Sequence, residues 1–231
     1  MKIHKLIRYL TLLILLPLLL PGCGFFKGLT GEIEEPPQVL IEEGMRDLKA
    51  ERYEAAAETF QELIDRHPYS RYAVLAELKM ADALYLRQDY IEAVEAYKNF
   101  ETLHPKNEAI PYIIFQQGMC YHRRMRSLDR DQTPALKAIQ TFNRLRQAYP
   151  ENKYAALAEA RLVEAQNLLA GHEFYVGEYY FKKKKYRAAL GRFVNLIKSF
   201  PDTGYHGPAM AYIKVCREKI AAEEEATLKK K

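Results

Sequence analysis

Two stretches decide the fold: YEAAAETFQELIDRHP at residues 53–68 and YIEAVEAYKNFETLHP at 90–105. Tyr53, Ala56, Phe60 and Pro68 recur 37 residues later as Tyr90, Ala93, Tyr97 and Pro105. The frame returns as Ala138, Phe142, Leu145 and Pro150, and again as Tyr186, Ala189, Phe193, Leu196 and Pro201. Upstream, Gly44, Ala81 and Gly118 share the spacing of 37. Self-similarity at a fixed period marks a repeat architecture.

The residue types say which one. Small residues twelve positions apart (Gly44 with Ala56, Ala81 with Ala93, Gly177 with Ala189) let two helices cross closely. The aromatic four residues after each alanine lies on the same helical face, where it plugs the gap to the next unit. Each proline ends the second helix, because it cannot extend the hydrogen-bond ladder. This is the pattern of tetratricopeptide repeats, whose usual period is 34. The expected fold is all-α, a superhelical solenoid of helix pairs with about nine or ten helices. No unit buries its apolar face alone, so the stack is the core.

Two intervals depart from the period. Between Pro105 and Pro150 it is 45 residues, which predicts a long connection around RSLDRDQTP, with Thr133 as N-cap and Pro134 at the first helical position. Between Pro150 and Pro201 it is 51. Residues 152–185 lack proline and read helical, and Gly177 and Ala189 keep their offset. One long or bent helix is expected, hinged at Gly171. A last helix over about 206–224 caps the solenoid, and 225–231 form a polar, fraying tail.

The N-terminus is an address. Lys2, Lys5 and Arg8 precede an apolar run from Leu10 to Leu20, short for a membrane span and interrupted by Pro17. Leu20-Pro21-Gly22-Cys23 reads as a lipobox, so 1–22 are a lipoprotein signal and Cys23 carries the N-acyl diglyceride anchor. Multiple acyl chains hold stably where one is marginal. Gly24 in place of aspartate points to the outer membrane. Residues 23–37 form the tether, and 38–224 the repeat domain. Removing 22 of 231 residues leaves 209. Lys2, Lys5 and Arg8 leave with them, so the net charge falls from +5 to +2. Nothing in this balance requires nucleic acid. Cys120 and Cys216 read as buried, unpaired thiols.

Catalytic chemistry finds little support. His172-Glu173 opens a zinc motif, but position 176 is Val. There is no glycine-rich phosphate loop, and the histidines lack metal-ligand spacing. Neither an enzyme nor a further cofactor is expected. Lys182 to Lys185 form a basic run at a helix C-terminus, where the dipole favours cations.

Several blocks carry a resemblance: Asp129-Arg130-Asp131-Gln132-Thr133, YPENKYAALAEARL at 149–162, then Asn167, Leu169-Ala170, His172-Glu173, Val176 and Tyr179-Tyr180, together with IPYIIFQQGMCYHRR at 110–124. The chain resembles the BamD family of outer membrane assembly lipoproteins, from the lipobox to about residue 218. One departure is Lys184-Lys185, where members often carry a glycine, which leaves the sharpness of that turn open.

The resemblance implies a lipid-anchored protein at the periplasmic face of the outer membrane. Its implied partners are the POTRA domains of a BamA-like barrel protein, the other lipoproteins of that complex and unfolded barrel precursors. Arg192, three residues after a packing alanine, is the candidate contact to an acidic residue of the BamA-like partner; a solvated arginine is the competing reading. Tyr53, Tyr85 and Tyr90, with Arg87 nearby, are candidates for the precursor groove, although Tyr53 and Tyr90 also hold packing positions. Asp129, Arg130 and Asp131 brace the long connection or meet a partner. Two other readings compete: a periplasmic repeat adaptor coordinating peptidoglycan synthesis or division, and an envelope enzyme acting on glycan, for which no buried acid can be named.

Overall fold

The computed structural model describes residues 35–229, so the signal, Cys23 and most of the tether lie outside the described residues. Among the described residues there are nine α-helices and no strands: α1 (Pro37–Lys49), α2 (Tyr53–Arg66), α3 (Ala73–Leu86), α4 (Tyr90–Leu103), α5 (Ile110–Arg123), α6 (Thr133–Ala148), α7 (Lys153–Lys182), α8 (Tyr186–Ser199) and α9 (His206–Leu228). Each helix packs on the one before and the one after; beyond neighbours, α1 touches α3 and α5 touches α7. This is a tetratricopeptide-type solenoid of helix pairs.

The close crossings rest on glycine. A Cβ at Gly44, Gly118 or Gly177 would sit 2.4, 2.3 or 2.6 Å from the ring of Phe60, Phe142 or Phe193. All three rings are fully buried. So the aromatic does more than plug the gap to the next unit: it fills a notch in its own helix pair. The second pair differs in kind. Ala81 replaces glycine, and Tyr97 replaces phenylalanine. The Tyr97 hydroxyl donates to buried Asp82 at 2.8 Å, and Tyr112 donates to the same oxygen at 2.7 Å. Lys79 neutralises the other oxygen at 2.7 Å. A buried carboxylate is tolerated here because its oxygens are bonded and its charge is paired.

The turns repeat as faithfully as the helices. Between first and second helices, Arg52, Asp89 and Lys185 donate their amides to Asp47, Leu84 and Tyr180, five residues back. The residue before each donor, Glu51, Gln88 or Lys184, has φ of 59°, 72° or 58°. This is a left-handed helix stop of Schellman type. The lysine turn is therefore as tight as the other two, and Lys184 carries the strain that glycine would relieve. Between second helix and next first helix, His67, His104, Tyr149 and Phe200 leave the helical region, with φ from −127° to −139°. Each precedes a proline, whose ring disfavours the helical conformation in the residue before it. Three positions on, Ser70, Asn107 and Asn152 accept the amides of Tyr72, Ala109 and Tyr154 with their side chains.

The 51-residue interval is resolved by α7, one 30-residue helix that runs through Gly171 without a break. Its first half lays Ala155, Ala158, Leu162 and Ala165 into the middle core with α3 to α6. Its second half puts Ala170 and Phe174 into the terminal core with α8 and α9. One long element thus belongs to two units, and the order of first and second helices is kept. Gly171 is no hinge. A Cβ there would meet Leu128 and the Tyr205 hydroxyl, both at 2.8 Å. The cap helix also runs longer than the sequence suggests. α9 reaches Leu228 through most of the stretch read as tail, and Glu224 pairs with Arg187. Cys120 and Cys216 are buried and free, and burial pushes the Cys120 thiol up to about 12.

Glycine position therefore predicts the sign of a stability change. Gly118→Ala drives a methyl into the Phe142 ring and is expected to cost about 1–3 kcal/mol. Gly191→Ala, in the interior of α8 with nothing within 4 Å of the new Cβ, is expected to add about 0.5–1 kcal/mol. Urea denaturation curves of the two variants check both signs.

Candidate functional site

The long connection between α5 and α6 is built by its own side chains. The Ser127 hydroxyl donates to Asp129 at 2.6 Å. Asp131 accepts both the amide and the hydroxyl of Thr133, at 3.0 and 2.7 Å. These bonds hold both carboxyls below the usual aspartate range. Thr133 is therefore not the N-cap: it is the first residue of α6, Gln132 holds the cap position without a side-chain cap bond, and Asp131, one residue earlier, accepts the Thr133 amide instead. Buried Gln132 donates to the carbonyls of Ser127 and Arg130, at 3.1 and 2.8 Å, and folds the loop back on itself. Arg130 lies 3.7 Å from Asp129.

The folded loop docks on α7. Leu128 sits against Gly171, and its carbonyl accepts from His172 Nδ1 at 2.6 Å. A carbonyl only accepts, so Nδ1 carries the proton. His172 is thus a clamp on a loop. A residue without a Cβ beside a ring donor, 44 positions from its acceptor, was not readable as a pair before the fold was known.

The four groove candidates do not converge. Tyr53 and Arg87 line one pocket of about 560 Å³ with Arg52, Glu54 and Glu58. Arg87 pairs with Asp89 and lies 3.9 Å from Glu54. It also lines a larger groove of about 750 Å³ between α2, α3 and α4, floored by Ala57, Met80, Leu84 and Ala96. Tyr85 and Tyr90 line neither. Their rings meet edge to face at 5.5 Å and pack against the middle core.

Arg192 is half exposed and bonds within the chain: Nη1 reaches both Glu173 oxygens, at 3.2 and 3.3 Å. The His172-Glu173 pair of the sequence thus serves two different partners, a loop carbonyl and an arginine. Lys182 to Lys185 are exposed, with Lys183 over the exposed Tyr179 ring. Sequence reasoning missed a network across three helices. Arg144 on α6 bonds Gln117 on α5 at 3.0 Å, and Gln117 bonds Glu101 on α4 at 2.8 Å. Arg144 also pairs with Glu101 directly. Among the described residues no three His, Cys, Asp or Glu side chains are grouped to hold a metal, and no helix is long and apolar enough to cross a membrane.

A family model described as "YfiO: Outer membrane lipoprotein" matches residues 33–231. The chain belongs to this family. Among YfiO-like relatives, the outer membrane protein assembly factor BamD of Rickettsia prowazekii is 31% identical over 208 residues, 90% of this chain and 82% of that protein. BamD of Neisseria meningitidis serogroup A is 30% identical over 197 residues, covering 81% and 74%. Among solved structures, a tetratricopeptide repeat protein from Parabacteroides merdae aligns with a TM-score of 0.42 at 13% identity, over 83% of this chain and 76% of that one. The resemblance to BamD drawn from DRDQT and the His172-Glu173 block is thus shown, and in the structure Leu128, the residue just before DRDQT, accepts from His172 through its carbonyl.

The loop geometry yields a direct expectation. Asp131→Ala removes the acceptor for the Thr133 amide, so that amide should exchange with deuterium several-fold faster while the amides of α4 keep their rates. Amide exchange read by mass spectrometry checks this.

Proposed function

We propose that this protein is a lipid-anchored subunit of the outer membrane β-barrel assembly machinery. In this reading it holds the POTRA domains of a BamA-like barrel protein with its C-terminal repeats. It receives unfolded barrel precursors on its N-terminal repeats and faces the periplasm from the Cys23 anchor. The observation that carries the reading is the family match across residues 33–231, the whole repeat domain, together with relatives named as outer membrane protein assembly factors.

The geometry supports an interaction role. A solenoid offers extended surfaces that hold peptides by shape and scattered polar contacts. The groove between α2, α3 and α4 has an apolar floor and a charged rim, which suits an extended segment with alternating side chains. Arg192 keeps its remaining guanidinium nitrogens free of Glu173 and available to a partner carboxylate.

Depletion should empty the outer membrane of barrel proteins while leaving cell-wall fragments unchanged; normal barrel levels would sink the reading. Arg192→Glu should abolish capture of the barrel partner in a pull-down from solubilised outer membranes. Adding Glu173→Arg restores the intrachain pair with its charges swapped. Capture should stay lost in that double variant; recovery would mean that Arg192 acts only through Glu173.

A further inference from the structure

Surface charge changes sign along the solenoid. The groove between α2, α3 and α4 is rimmed by Glu58, Glu62, Asp65, Glu92 and Glu95, with Arg66 and Arg87 opposing them. At the C-terminal end of α5 the balance reverses. A separate cavity of about 610 Å³ is lined by Arg123, Arg124, Arg126 and Arg130 against one acid, Asp131.

That acid is committed elsewhere. Asp131 accepts from the Thr133 amide and hydroxyl, and Asp129 accepts from Ser127. Among the described residues, the only ion pair these four arginines make is the 3.7 Å contact of Arg130 with Asp129. Arg123 meets instead a neutral phenol, with Nε donating to the Tyr85 hydroxyl at 3.4 Å. Guanidinium groups stay charged at any physiological pH, so gathering four around one cavity carries a repulsion that an incoming anion relieves. Among the described residues Arg126 makes no hydrogen bond or ion pair, and it is exposed.

We propose that this cavity docks an acidic segment of a partner polypeptide. Planar guanidinium forks bind carboxylates in bidentate fashion. The lining also includes Met125 and Pro134, and Arg123 joins the cavity through Tyr85 to the Tyr85–Tyr90 ring pair. A chain carrying acidic residues beside apolar ones uses both parts of this surface. A lipid phosphate uses the charge alone and leaves the apolar Met125 and Pro134 idle. The proposal does not rest on the barrel-assembly reading, since it concerns a surface defined by charge and by the loop.

The test uses the full-length protein in detergent and a fluorescein-labelled peptide of alternating Asp and Phe, followed by fluorescence anisotropy. Arg124→Glu with Arg126→Glu should weaken binding about tenfold or more, the loss of a few charge-assisted contacts. Arg124→Lys with Arg126→Lys should recover part of it. Lys182→Glu with Lys183→Glu, in the other basic run, should leave it unchanged. Binding should fall as salt rises. Equal affinity for the same peptide with Asn in place of Asp overturns the proposal. So does equal loss in the Lys182/Lys183 variant, or binding confined to phosphatidylglycerol vesicles. Thermal unfolding checks that the variants fold; if the double variant does not, exposed Arg126→Glu alone decides, and wild-type affinity in it overturns the proposal.

Discussion

A buried phenylalanine ring lying where a glycine has no side chain is the contact on which the architecture depends. It occurs at Gly44 and Phe60, at Gly118 and Phe142, and at Gly177 and Phe193. The missing Cβ lets first and second helices approach until the ring fills the space between them. That distance sets the tilt of each pair and hence how the next pair stacks. Because interiors are close-packed, the notch cannot be shared between ring and methyl. The second pair solves the same problem differently, with Ala81, Tyr97 and a bonded buried Asp82.

Two kinds of turn then space the pairs. Three of the four first-to-second turns end in a left-handed residue, Glu51, Gln88 or Lys184, and an amide that reaches back five positions; the fourth is the long connection between α5 and α6. The turn is imposed by packing on both sides, so it forms even where no glycine is present. Each second-to-first turn is ended by a pre-proline residue and reopened by a short polar side chain or, at Thr203, by a hydroxyl bonded to Phe200. α7 departs from this economy. It skips one turn, crosses from the middle core to the terminal core, and joins two halves of the stack as one rod.

Function is written on what the repeats leave over. The connection between α5 and α6 spends its aspartates on its own turns and its Leu128 on Gly171, which turns its arginines outward. Of the blocks that mark the family in sequence, DRDQT lies in this docked loop and the others lie on or just before α5 and α7. The groove candidates lie in different surroundings for a physical reason. Tyr85 and Tyr90 are drawn into ring contact and the middle core, while Tyr53 and Arg87 sit at an open pocket. Arg192 is split between an intrachain glutamate and solvent.

The sequence by itself determined the repeat, the helix pairs and their crossing points, because each depends on residues within one turn of helix or one period of one another. Glycine, alanine, aromatic and proline at fixed offsets are local rules, and local rules survive without coordinates. It also carried the family, through blocks whose order is preserved along the chain. Only the tertiary structure decided that α7 is unbroken, that Gly171 is a seat for Leu128 rather than a hinge, that Thr133 begins α6 with its amide on Asp131 instead of capping it, and that four arginines share one cavity. The last three depend on a loop whose path is set by the helices it crosses. Periodicity says which face of a helix is buried; it does not say which distant loop will cover that face.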